Sequence, residues 1–154
     1  MYQRIYDTLH RQQRALGLLL ELLLEEYDLL RDRKTAAVVA LEFSVHELVR
    51  QIAAEKADVI RMLDGGRVMH YAELLPEEQA APLRDLYASI DVGEQACSRQ
   101  ASLNAELSLA LLDQSQRTMQ ELHDQVVPRS AQTYGRRGAM GSVRPMASFI
   151  SGRL

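Results

Sequence analysis

Apolar residues at the start of the chain occupy most of positions 2, 5, 9, 12, 16, 19, 23, 26 and 30, as Tyr2, Ile5, Leu9, Leu16, Leu19, Leu23 and Leu30. This is the alternating three- and four-residue step of a coiled-coil seam, and it predicts a helix over residues 2–31. Between Leu16 and Leu24 the helix is apolar nearly all round, with Leu18, Leu20, Leu22 and Leu24 added to the seam. One neighbouring helix does not cover such a surface, so a second partner is required, from within the chain or from another copy.

A second seam follows in Val38, Leu41, Val45, Leu48, Ile52, Val59 and Met62, predicting a helix over 35–63. The cluster Arg31-Asp32-Arg33-Lys34 between the two seams contains no obligatory breaker, so a short turn and a bent continuous helix both fit. Gly65-Gly66 reads as a C-terminal stop, because glycine enters the left-handed cap without a Cβ penalty. Leu74-Leu75-Pro76-Glu77-Glu78 reads as the start of a short crossover helix at about 77–89, with proline and acids where the helix dipole favours them. Asp91 with Glu94 three residues on resembles a capping box and predicts a last helix over 92–127.

In that last helix Leu103, Leu107, Leu111, Met119, Leu122 and Val126 follow mostly four-residue steps, with Ser115 in the missing place. Repeated fours act as stutters that loosen a left-handed supercoil, leaving a stripe that its own bundle covers incompletely. Such a stripe is open to a guest helix, with ordinary core packing as the alternative reading, and these six residues are the candidate contact set. The fold class is therefore all-α, a long antiparallel, coiled-coil-like helical bundle.

Composition supports that class: 24 leucines stand against eight aromatic residues and no tryptophan, and no proline precedes Pro76. Charge divides the chain. Residues 1–127 carry 13 Lys/Arg against 21 Asp/Glu, whereas residues 128–154 carry five arginines and no acid, along with four glycines and two prolines. A helical body over 1–127 and a basic tail over 128–154 are expected. Within the tail, Met146, Phe149 and Ile150 stand at helical spacing behind Pro145, a pattern suited to a short helix that docks weakly on an apolar groove. Five scattered arginines beside an acidic body favour a solvated tail over a nucleic-acid surface. The richest apolar run is too short to span a bilayer, and no cationic leader opens the chain, so a cytoplasmic protein is expected.

Catalytic signatures are sparse. His10, His46, His70 and His123 form no H-E-x-x-H, and none follows a glutamate at the spacing of a di-iron bundle. Cys97 is the single cysteine, and Gly135, Gly138 and Gly141 follow a helix rather than a strand, so no phosphate cradle is indicated. A phosphotransfer bundle would expose a histidine with a lysine three residues on; His46 has Val49 there. No cofactor or metal is expected, and a plain coiled-coil adaptor remains an alternative.

Three segments carry a family likeness. Glu55-Lys56 with Val59, Ile60 and Leu63, Leu103-Asn104 with Leu107 and Leu111-Leu112, and Thr133-Tyr134-Gly135-Arg136-Arg137-Gly138 together resemble the FlgN-type flagellar export chaperones over almost the full length. The resemblance implies a cytosolic chaperone without enzymatic activity. It would bind the C-terminal helical region of hook-filament junction subunits, keep them from assembling early and deliver them to the membrane export-gate protein. It also implies a gate-binding role for Tyr134. No nucleic-acid partner is expected, and Leu16–Leu24 is a candidate surface for homo-oligomers.

Overall fold

The computed structural model describes residues 1–126. Its helices are α1 (Tyr2–Arg31), α2 (Thr35–Met62), α3 (Val68–Glu73) and α4 (Glu77–Val126), with no strand among the described residues. The chain divides into two compact units, Met1–Leu112 and Asp113–Leu154, the second described to Val126. The expected body–tail boundary after residue 127, the Met146–Phe149–Ile150 segment and Tyr134 lie outside the described residues.

A turn, not a bend, separates α1 from α2. Lys34 N–H bonds the Leu29 carbonyl and Arg33 N–H the Leu30 carbonyl, while Arg33 takes a left-handed φ of 58°. That pattern is a Schellman cap, built here on a residue with a Cβ. The same motif ends α2, where Gly65 N–H reaches Ile60 and Asp64 N–H reaches Arg61. The sequence points to glycine for the left-handed position, but Asp64 (φ 49°) enters it first and Gly65 (φ 81°) follows. Gly66 is required sterically, since a Cβ there would lie 2.9 Å from the Leu63 carbonyl oxygen.

Two expectations fail in the crossover. The short helix is Val68–Glu73, not 77–89, and the stretch expected as two helices is the single helix Glu77–Val126. Asp91 accepts a hydrogen bond from Gln95 Nε2 along the helix surface instead of capping an N-terminus. Glu94 is likewise held by other helices, as described below. A capping box requires a break in the backbone, and α4 runs unbroken through Asp91 and even through Gly93, which lies inside the helix against Leu16. Pro82 lies inside α4 at its sixth residue, where its missing N–H leaves the Glu78 carbonyl without that helical hydrogen bond.

In the first unit α1 is the central element. Ile5, Leu9, Leu16, Leu19 and Leu23 are buried with Val59 of α2, Val68 and Ala72 of α3, and Leu83, Leu86, Ile90 and Cys97 of α4. The turn makes α1 and α2 antiparallel. Contacts of α1 with α4 advance together, Gln13 with Ser89, Leu16 with Cys97 and Leu23 with Asn104, so these helices are parallel. The three long helices therefore run up, down and up. The second partner demanded by the leucine-rich run of α1 comes from inside the chain, although Leu18 and Leu24 stay about half exposed.

Candidate functional site

Two lines of side chains, each stepping alternately by three and four, run along α4. The first is Leu83, Leu86, Ile90, Gly93, Cys97, Gln100, Asn104, Leu107 and Leu111, and each of these residues is buried or half-buried. Its approach to α1 is close, since a Cβ on Gly93 would meet Leu16 at 3.5 Å. Beyond Leu111 the same count falls on Gln114, Thr118, Glu121 and Gln125, so the line turns polar. The second line is Ala101, Ala105, Ser108, Leu112, Ser115, Met119, Leu122 and Val126, and every member is exposed. It lies one residue, about 100° of helix rotation, round from the first.

The six candidate residues divide between these lines. Leu107 and Leu111 are half-buried on the first, whereas Met119 (62% exposed), Leu122 (55%) and Val126 (79%) belong to the second. Leu103, 49% exposed, sits on neither. A four-residue step advances about 40° per repeat round the helix, so the sequence-level stripe crosses from one line to the other. Sequence reasoning passed over Leu109 and Leu112, both exposed apolar residues of α4. In the second unit every side chain from Asp113 to Val126 is exposed. Phe43 and Val39 on α2 are also exposed apolar side chains, signalled only by their distance from the α2 seam.

Polar groups inside the first unit fix its register. Asn104 is buried; its Nδ2 donates to the Leu23 carbonyl and to Glu26 Oε2, both at 2.8 Å, and its Oδ1 accepts from Gln100 at 3.0 Å. Buried Gln12 donates to Glu94 Oε1 at 3.2 Å, and Lys56 Nζ reaches the same carboxylate at 3.2 Å. Arg11 grips Glu55 through both carboxylate oxygens, at 2.8 and 2.9 Å. That hydrogen bond is the main cause holding the Arg11 guanidinium more firmly charged than usual. Glu55 and Lys56 thus tie α2 to α1 and to α4 respectively.

Among the described residues, neither Cys97 nor His46 has the surroundings of a catalytic group. Cys97 donates through Sγ to the Leu16 carbonyl at 3.4 Å, and burial pushes its thiol pKa up, the opposite of an activated nucleophile. The side chain of His46 is well exposed, with Glu42 3.6 Å away, and Val49 stands one turn further on. Two clefts of the first unit, one along Arg4, Arg11 and Asp58 and one along Leu9, Lys56 and Tyr87, are lined by no histidine, serine or cysteine.

What remains is an all-helical body whose interhelix ties fall on Glu55, Lys56 and Asn104, and the chain matches the FlgN protein family over residues 1–142. It belongs to the FlgN family. FlgN proteins are flagellar export chaperones, and the match runs through the described helices and includes Tyr134. No curated protein and no solved structure matches the chain. The Glu55-Lys56 and Asn104 likenesses to FlgN proteins fall on bundle-locking residues. Among the described residues, no helix is long and apolar enough to cross a membrane.

Proposed function

We propose that this FlgN-family chaperone works in the cytoplasm on hook-filament junction subunits, binding the C-terminal helical region of each through the apolar side chains of α4. Bound there, a subunit's amphipathic helix is shielded from premature assembly and aggregation. The contact set is Leu103, Leu107, Leu111, Met119, Leu122 and Val126. The observation that carries the reading is the exposure of Met119, Leu122 and Val126 on a helix with no other described element over them. Tyr134, in the basic tail over 128–154 that follows the 1–127 body, is the contact for the membrane export-gate protein, and delivery to that gate follows capture.

The test is titration of the full chain with a junction subunit's C-terminal segment. Leu122→Ser combined with Met119→Ser should weaken binding at least about tenfold while leaving helicity unchanged, because both side chains are exposed. Undiminished binding would move the contact elsewhere. Tyr134→Ala should leave capture intact and weaken gate binding; lost capture would reassign the tyrosine.

A further inference from the structure

We infer that the cleft along Leu9, Lys56 and Tyr87 is a docking site for a partner peptide. Its occupant is one aromatic side chain with a hydrogen-bond donor at the tip, tryptophan or tyrosine, with an acidic residue beside it. The cleft has a volume of about 580 Å³, the size of an ordinary ligand site, and lies wholly inside Met1–Leu112. Its floor is Leu9 of α1, Val59 of α2, Val68 of α3 and Ile90 of α4, all buried. Ile60, Met69 and Tyr87 also line it, exposed large side chains contributed by three different helices. The space is open because Gly65 and Gly66 bring no side chain to it, and a Cβ on Gly65 would meet nothing within 4 Å. A floor of this character favours a large flat ring over a small polar group.

Two unspent polar groups define the rest of the ligand. Gln12, only 3% exposed, lines the cleft; its Nε2 is committed to Glu94, and no described donor reaches its Oε1. Every buried side-chain oxygen and nitrogen among the described residues has a partner, so this unpartnered oxygen is not sealed in the core; it opens into the cleft. An acceptor at the foot of an apolar pocket is matched by an indole N–H or a phenol O–H, whereas phenylalanine would leave it without a donor. A neutral tip fits better than a cation, because Lys56 and Arg67 balance Asp91 and Glu94 around the cleft and Glu94 is already held by Lys56. Arg67 makes no side-chain ion pair or hydrogen bond with a described residue, which leaves its guanidinium for a carboxylate of the partner. The site is separate from the apolar contact set on α4 and does not depend on junction-subunit capture.

Fluorescence titration of the full chain with acetylated, amidated dipeptides tests the site, since the chain contains no tryptophan and indole emission reports the probe alone. Tryptophanyl-glutamate should bind with a Kd of about 1 mM or below, its emission shifting to the blue. In competition, the analogue with 3-benzothienylalanine, which keeps the ring shape without the N–H, should bind about fivefold more weakly. Tryptophanyl-glutamine should bind about threefold more weakly. Arg67→Gln should erase the preference for glutamate over glutamine, and Gln12→Met the preference for tryptophan over its isostere. Arg67 is exposed and places no side-chain cap on α3, so its replacement should leave helicity unchanged. Should Gln12→Met lower helicity, the isostere comparison in the unaltered chain still decides the acceptor. Met69→Ser should weaken binding, whereas Met119→Ser with Leu122→Ser should leave it unchanged. Several results would overturn the inference: no binding at about 10 mM, no preference for tryptophan over the isostere, or a glutamate preference that survives Arg67→Gln. So would a tryptophanyl-lysine probe bound as tightly, or binding lost in the double variant of α4.

Discussion

The two lines on α4 differ less in their period than in what stands between their leucines. The line against α1 has glycine and cysteine where the helices approach closely, and a buried asparagine whose donors reach α1. The exposed line has alanines and serines, and no buried polar group anchors it. A buried amide with satisfied donors accepts one register and penalises others, because a shifted partner would strand it. Small uncharged residues impose no such demand. The covered line is thus committed to one neighbour, and the exposed line can accept a neighbour that comes and goes.

The largest break in that comparison should come from Leu83→Ala. Leu83 is fully buried, and the change should cost about 2–5 kcal/mol in urea unfolding, against less than about 0.5 kcal/mol for Leu122→Ala measured on a monomeric sample. Equal costs would erase the distinction between the lines. Asn104→Ala should follow at about 1–3 kcal/mol, because it leaves Glu26 and Gln100 without their partner. A neutral result there would strip the covered line of its register lock.

Smaller effects sharpen the contrast. Arg11→Ala should cost no more than about 1 kcal/mol, and less at high salt, since the arginine is half exposed. Cys97 is raised above its ordinary 9.0, so its contribution is fully present below that pH and is lost as pH rises through the higher folded value. Thermal stability should therefore decline slightly above pH 9.0, and the Cys97→Ala chain should lack that component.

Much of α1 was legible in advance, because one period ran through it: Ile5, Leu9, Leu16, Leu19, Leu23 and Leu30 are all buried as the seam requires. The end of α2 was legible from Gly65-Gly66, but the turn after α1 was not, since Arg31-Asp32-Arg33-Lys34 fits a bent helix equally well. The six-residue α3 was not, since six residues hold too few turns to display a period. The continuity of α4 was misread because Asp91 and Glu94 have the letters of a cap but the partners of surface and interhelix residues. Of the candidate site, the amphipathic character of the last helix could be read directly. Which apolar residues meet α1 could not, because the sequence records distance along one helix and not the angle at which its neighbour approaches.

Helix α2 is closed at both ends by left-handed residues that carry side chains, Arg33 and Asp64. Between them only Val38 and Val59 are buried, far fewer than on α1. A helix with so few interior anchors, and with end turns costing about 1–2 kcal/mol each in backbone strain, is where local opening begins. Amide protons of α2 should exchange with solvent before those of α1, and Asp64→Gly should slow that exchange by relaxing one end. An opened α2 would uncover the flank of α1 it covers, while α1 and α4 stay joined through Asn104. The first unit would then breathe along one side without losing its spine.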